Sequence, residues 1–331
     1  MKIPEQDYFK KITYRDALRL AMYDEMNEDE TVILLGEDIA KYGGAYGATK
    51  NLFEQFGSRR VIDTPISEPT IIGTAIGAAM TGLKPIAELM YVDFFGMSMD
   101  QIGNQSAKIR YMFGGQISVP MIIRTQGGTG RSAGAQHSQS LESWIMYMPG
   151  LYLVMPSNPN DAYHLLRDSL KTNTPTVFIE HKMLYNFEGS LDKNKKINFG
   201  LANILKAGKD ISIISYSRMT NVALEAAKIL EEQNISCEII DLRTLNPLDK
   251  KTIINSVNKT KHALVLSEGH YTSGVASELT SIVFENCFKI LKKPVIRYTA
   301  EDTPVPVAPN LEKSYIPSVE KIVSYTKDIL S

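Results

Sequence analysis

Apolar positions along this chain fall in short runs separated by amphipathic stretches. "TVILLGED" (31–38) reads as a buried strand, and 68–82 as a helix after a loop rich in Gly and Tyr. "PIAELMYV" (85–92) reads as a strand and 97–112 as a helix. "VPMIIRT" (119–125) is a strand that runs into the glycine-rich loop 126–136. A helix at 139–148, the strand "LYLVMP" (151–156), a helix at 160–171 and the strand "PTVFIE" (175–180) complete the first half. Strands and helices alternating in this way predict an α/β fold with a doubly wound, mostly parallel sheet.

Residues 181–205 lose the pattern. "EGSLDKNKKINFG" is polar and charged and has no clear period, which predicts a linker between domains spanning 1–190 and 191–331. Beyond it the alternation resumes. "ISIISYS" (211–217), "SCEIIDL" (236–242), "HALVLSE" (262–268) and "PVIRYT" (294–299) read as strands, and "NVALEAAKILEEQ" (221–233) as an amphipathic helix. The proline-rich tail "EDTPVPVAPNLEKSYIPS" predicts a surface loop before a last helix.

Composition narrows the classes. A chain of 331 residues is long enough for two cored domains, and 44% hydrophobic with 22% charged residues is ordinary for a soluble globular protein. Net charge is −1, with no basic runs carrying interleaved aromatics, so neither nucleic acid nor a membrane is an expected partner. The longest apolar run, 71–80, is interrupted by Gly and Thr and is too short for a bilayer. The start carries no apolar segment of the secretory kind and is not Arg-rich. The expected location is cytoplasmic, or an organelle matrix if a transit peptide has been removed. Cys237 and Cys287 stand fifty residues apart outside any Cys-x-x-Cys pair, which predicts buried free thiols.

Several motifs fail. Gly128-x-Gly130-x-x-Ala133 has the spacing of a dinucleotide fingerprint, but the glycines lead into polar "AQHSQS" and no acid ends the next strand. "GGAYGATK" (43–50) is no phosphate-binding P-loop, "GMSMD" (96–100) is no nucleophile elbow, and the histidines take no metal-ligand spacing.

Three patches survive. In "DTPISEPTIIGTAIGAAMTG" (63–82) a single carboxylate, Glu68, precedes a run of Ile, Ala, Gly and Met. A carboxylate in a first helical turn is favoured by the macrodipole, here near the capping hydroxyls of Thr64 and Ser67, and needs no function. Buried without a partner it would cost several kcal/mol, roughly, and would need a reason. In "AQHSQS" (135–140), His137 follows a strand and a glycine-rich loop, where α/β proteins place ligands. It is a candidate proton donor, or else a surface histidine. In "YVDFFGMS" (91–98), Phe94 and Phe95 point to opposite sides, one for the core and one available to a flat ligand ring.

These patches, with "VILLGEDI", "GAAMTGLKPIAE", "SAKIRYMFGG", "PSNPNDA", "DLRTLNPLD" and "DTPVP", resemble one family over residues 12 to about 320. It is the beta subunit of the thiamine-diphosphate-dependent decarboxylating component of 2-oxo acid dehydrogenase complexes. Pyruvate dehydrogenase looks nearest, with branched-chain and acetoin enzymes beside it. The resemblance implies a pyrimidine-binding domain followed by a domain of the transketolase C-terminal type. It implies that Glu68 hydrogen-bonds N1′ of the aminopyrimidine and so activates the thiazolium carbon, with Ser67 beside it. Phe94 would stack on the pyrimidine, and His137 would serve acyl transfer to the lipoyl disulfide.

The family's magnesium and diphosphate are held by a Gly-Asp-Gly…Asn motif that this sequence lacks. The chain should therefore hold half a site, completed by an alpha subunit in a heterotetramer. Gly73 and Gly77 would let another backbone approach the helix closely, at a subunit boundary or inside the domain. Some relatives bind structural potassium at the positions of Met121, Ser169, Leu170, Thr172 and Thr174. Asp302 matches an acidic position that docks the lipoyl-bearing dihydrolipoamide acyltransferase core. The implied reaction is oxidative decarboxylation of a small 2-oxo acid, pyruvate first, or acetoin cleavage. A non-catalytic scaffold subunit is the alternative of another class.

Overall fold

The computed structural model describes residues 7–331. The chain forms two compact units, one running through Gly127 and resuming at Trp144–Phe199, the other made of Gly128–Ser143 and Gly200–Ser331. The glycine-rich loop thus belongs with the C-terminal half, which the pattern of apolar positions does not reveal. No helix among the described residues is long and apolar enough to cross a membrane.

The first unit holds β1 (Tyr8–Thr13), α1 (Tyr14–Glu28), β2 (Val32–Gly36), α2 (Leu52–Phe56), β3 (Val61–Asp63), α3 (Glu68–Met80), β4 (Lys84–Leu89), α4 (Ala107–Met112) and β5 (Ile122–Gly127). After α5 (Glu142–Met146), at the crossing between units, come β6 (Tyr152–Val154), α6 (Pro159–Leu170), β7 (Thr176–His181) and β8 (Glu188–Asp192). The sheet runs β6-β7-β5-β4-β2-β3, every neighbouring pair parallel. Its strands are buried almost throughout, as a sheet covered on both faces requires. Tyr14, Leu18, Met22 and Met26 of α1 pack with Leu165, Leu166 and Leu170 of α6 over one face.

β3 lies on one side of β2 and β4 on the other, so the strand order reverses there. Open α/β sheets bind ligands in the crevice that such a reversal leaves at the carboxyl ends of the strands. Gly36 pairs with Glu88 at this point, and a Cβ on it would lie 2.8 Å from the Glu88 carbonyl oxygen, so only glycine lets the strands close.

The second unit holds β9 (Asn203–Lys206), β10 (Ile211–Ser215), α7 (Ser217–Glu231), β11 (Cys237–Asp241), β12 (Thr244–Asn246), α8 (Lys250–Thr260), β13 (Ala263–His270), α9 (Val275–Cys287), β14 (Ile296–Ala300), α10 (Pro309–Tyr315) and α11 (Val319–Leu330). Its sheet runs β14-β13-β10-β11-β9, with only β9 antiparallel. The reversal falls between β10 and β13. Ala223, Ala226, Ala227 and Leu230 of α7 pack with Ile322 and Ile329 of α11 on Ile213 and Ile239.

Four expectations need correcting. The stretch 181–205 is not all linker: β8 pairs antiparallel with β1, Phe9 opposite Leu191. Only Leu191 in β8 is buried, so the strand shows no alternation. The helix expected over 97–112 is three pieces, a 3₁₀ segment Val92–Ser98, a π-helical turn Asp100–Ser106 and α4. Mid-helix departures of this kind recur at functional sites. The tail is not plain surface loop, since Val305 is buried against Ala300 and Tyr315 and α10 interrupts it. Ser67 does not cap α3 through its side chain: its hydroxyl meets the Thr70 hydroxyl at 2.7 Å, and the buried Thr64 hydroxyl has no partner among the described residues.

Candidate functional site

α3 starts at Glu68 because Pro69 fixes the first-turn backbone and supplies no N–H where none is needed. Glu68, Ile71, Ile72, Ala75, Ile76 and Ala79 are buried at helical spacing, so the carboxylate lies on the same inward face as the isoleucines. It is 4% exposed, and no described residue gives it a hydrogen bond or an ion pair. The outer face is bare at Gly77, where a Cβ would meet nothing, and Gly73 touches only Gln101 at 3.8 Å. Packing inside the domain therefore does not explain Gly77.

Glu37 follows β2 at the sheet reversal. Burial pushes its carboxyl above the ordinary range, and the charges of Glu68, Asp38 and Glu88 push it further. Asp38 turns the chain at φ +53°, a left-handed position rarely taken by a side-chain-bearing residue. The reversal thus gathers acids at its mouth. Glu88 is the exception in having a cation: Arg124 Nη1 donates to it at 2.7 Å.

Phe95 is wholly buried, whereas Phe94, in the 3₁₀ segment after β4, is half-buried. Its ring stands edge-on to Tyr91 at 5.8 Å. Tyr91 in turn takes the buried Lys182 ammonium over its face at 5.5 Å and meets the Tyr46 hydroxyl at 3.3 Å. Tyr46, Tyr91 and Lys182 are absent from the sequence reading. The Tyr-rich loop before α2 was the one signal available, since Lys182 lies in the stretch read as linker.

Of the positions expected to hold potassium, Ser169 and Thr174 turn their carbonyls to the Thr172 hydroxyl. The Thr172 hydroxyl lies 3.0 Å from Ser169 O and 2.9 Å from Thr174 O, and Met121 O accepts from Thr176 N at 2.9 Å. Leu170 and Met121 are buried. Thr172 thus supplies a neutral donor where those carbonyls face one another.

In the second unit His137 is half-buried at the end of the glycine-rich loop, its N–H bonded to Gly134 O at 3.3 Å. Gly128 N donates to Gln139 O at 3.0 Å and closes the loop on itself. Asp302 is exposed, and its carboxylate accepts from Thr272 N at 3.0 Å and Thr272 Oγ1 at 2.5 Å, which lowers its pKa. Both cysteines are buried free thiols, Cys237 pushed up to about 12 by burial.

The fold is one of two α/β units, each built on a mostly parallel sheet. Residues 10–188 match the family model for the transketolase pyrimidine-binding domain, and 200–322 that for the transketolase C-terminal domain. The beta subunit of acetoin:2,6-dichlorophenolindophenol oxidoreductase from Bacillus subtilis is 43% identical, covering 96% of this chain and 97% of that protein. The beta subunit of the pyruvate dehydrogenase E1 component from Rickettsia bellii is 42% identical, covering 96% and 98%. The mitochondrial counterpart from Dictyostelium discoideum is 38% identical, covering 97% and 91%. A solved structure, a split-gene transketolase described as an inactive beta4 tetramer, superposes with a TM-score of 0.80 at 20% identity, covering 96% and 98%. The chain belongs to the family of E1-type beta subunits that joins these two transketolase domains.

Proposed function

We propose that this chain is the beta subunit of a thiamine-diphosphate-dependent 2-oxo acid dehydrogenase, acting on pyruvate and passing the acyl group to lipoamide. The observation that carries the reading is Glu68: a buried carboxyl with no donor among the described residues, at the carboxyl-end crevice of a reversing sheet. Such a group invites a ligand that donates to it. The aminopyrimidine fits, because a proton on its ring N1′ would give the carboxyl the hydrogen-bond donor that the described residues do not supply. Glu68 would hold that proton at N1′, and Phe94 would offer a ring face to the heterocycle. When bound, thiamine diphosphate supplies the carbon nucleophile and the electron sink for decarboxylation. His137 would deliver a proton from its imidazole to the sulfur leaving the lipoyl disulfide.

The sequence has no Gly-Asp-Gly, so magnesium and diphosphate fall to an alpha subunit. The bare Gly77 face of α3 supports a second polypeptide there, as do Ile66 and Tyr111, large apolar side chains 80% and 91% exposed. Potassium at the Thr172 carbonyls and docking of an acyltransferase core at Asp302 belong to the same reading.

Acetoin cleavage is the second reading, supported by the identity to the Bacillus subtilis protein, which matches that to the pyruvate dehydrogenase subunit. The test is co-expression with the neighbouring alpha-type subunit, followed by assays with pyruvate, branched 2-oxo acids and acetoin. Turnover of pyruvate with lipoamide supports the proposal. Turnover of acetoin alone replaces it, and tight binding of thiamine diphosphate and magnesium by this chain alone ends the half-site argument.

A further inference from the structure

The reversal between β10 and β13 is where the second sheet would offer a ligand crevice. The chain fills that position with its own loop. Glu268, near the end of β13, accepts from Thr129 N at 2.6 Å and from Thr129 Oγ1 at 2.7 Å. Glu142, the last turn of sequence before the loop leaves the unit, accepts from the Tyr216 hydroxyl at 2.7 Å, and Tyr216 follows β10.

A second carboxylate approaches the loop from the opposite end of the sequence. Glu312, on α10, takes Gly130 N at 2.7 Å on Oε1 and Ser132 N at 3.0 Å on Oε2, with Ser132 Oγ at 3.3 Å. Gly130 stands at φ +100° and Ser132 at φ +52°. A left-handed turn points successive N–H groups inward and makes a nest for an anion, and here the anion is a side chain of the same unit. The left-handed serine is strained on its own, by about 1–3 kcal/mol, and needs surroundings that over-determine it. Glu312 and Glu268 are only 4% and 6% exposed. Placing two charges under one loop is costly unless each is well supplied with donors.

The proline-rich segment backs this arrangement. Gly134, at φ +79°, has no room for a Cβ, which would sit 2.9 Å from Val307 Cγ2. Val305 and Tyr315 anchor the segment in a small core of their own, and Asp302 ties it to Thr272. The ties from Glu268, Glu312 and Val307 fall on Thr129, Gly130, Ser132 and Gly134, a few residues before His137, whose own N–H bonds back into the loop at Gly134.

We infer that Glu312 and Glu268 are positioning residues that clamp the glycine-rich loop and thereby set the place of the His137 imidazole for acyl transfer. The inference rests on the proposed role of His137. The clamp explains two features otherwise without a purpose: an acid at the centre of a short helix in the tail, and a left-handed serine five residues before His137.

The test uses the assembled enzyme with Glu312→Ala, Glu312→Gln and His137→Ala. Hydrogen exchange reads the clamp directly. The Gly130 and Ser132 amides should exchange at least about tenfold faster in Glu312→Ala, with Glu312→Gln between it and the parent because one acceptor oxygen survives. Two rates are then compared, decarboxylation with 2,6-dichlorophenolindophenol as electron acceptor and acylation of lipoamide. The ratio of acylation to decarboxylation should fall about tenfold or more in Glu312→Ala, the scale of loss a misplacement of about 1 Å brings, and recover in part in Glu312→Gln.

Unchanged amide exchange in both Glu312 variants overturns the clamp. So does an unchanged ratio in them while His137→Ala lowers it. If His137→Ala itself leaves the ratio unchanged, the role given to His137 fails, and exchange still reports whether the loop is held. Should Glu312→Ala not assemble, Glu312→Gln decides by the same two readouts.

Discussion

Glu180 and Glu68 are both carboxyls buried in the first unit, and their surroundings differ in kind. Glu180 takes Arg124 Nε at 2.6 Å, Arg124 Nη2 at 2.8 Å and the Tyr185 hydroxyl at 2.6 Å, while the third arm of the guanidinium reaches Glu88. Burial opposes the charge on Arg124, yet Glu180 and Glu88 outweigh it and raise its pKa. Every strong donor there is spent. Around Glu68 the described residues supply no hydrogen-bond donor, and the Glu37 carboxyl feels its charge. A saturated buried ion pair specifies how strands pack, whereas an unsaturated one leaves a vacancy in the bonding that something outside the chain must fill. The saturated set is structure; the unsaturated set is where a ligand is expected.

The sharpest way to break the comparison is to unsaturate the saturated set. Arg124→Met leaves Glu180 and Glu88 buried without their cation and should cost about 3–5 kcal/mol. A guanidinium unfolding curve reads it, and a loss under about 1 kcal/mol would mean that the network is not what holds β4, β5 and β7 together. The reciprocal change is Glu68→Gln. It should lower decarboxylation by roughly 10²-fold or more while the unfolding midpoint stays within about 0.5 kcal/mol of the parent. A midpoint that falls as it does for Arg124→Met would place Glu68 among the structural acids.

Much of this was legible from residue order, and the failures have physical causes. The strands of both sheets announce themselves because a covered parallel strand is a continuous apolar run: "VILLG", "CEIID" and "ALVLSEGH" are buried nearly end to end. β8 was lost because an edge ribbon buries one side chain in five. Glu68 was conspicuous because a charge interrupts an apolar helix. Arg124 was not, since a charge inside "IIRTQG" looks the same whether it is paired across strands or wrong, and the partners lie thirty-six and fifty-six residues away. Glu312 was hidden for the same reason, being separated from Gly130 by 182 residues.

α3 offers a finer cut, because its two faces can be changed independently. Gly77 points into open space, so Gly77→Leu should leave the chain's far-UV spectrum intact and favour the helix by up to ~1 kcal/mol. If a second backbone lies on that face, association with the alpha-type subunit should weaken by about tenfold, roughly 1.4 kcal/mol. Sedimentation of the mixed subunits measures this. Undisturbed association would free the outer face of any partner and leave the helix with only its inward role.

The smallest effect expected is one of pH, and it tests whether the acids at the reversal are coupled. Burial, then the charges of Glu68, Asp38 and Glu88, hold the Glu37 carboxyl above its ordinary value. The folded chain therefore binds a proton in a range where the unfolded chain has released it, so stability falls as pH rises from the ordinary carboxyl range through the raised value. Glu37→Gln removes that slope. As pH rises from the ordinary carboxyl value, about 4.3, the parent should lose more of its unfolding midpoint than the variant does. Glu68→Gln should flatten the same slope in part, because one of the charges opposing ionisation is gone, and the two changes together should do less than their sum. Parallel profiles in all three proteins would mean that Glu37 and Glu68 do not sense each other, and the contrast with the Arg124 set would then rest on Glu68 alone.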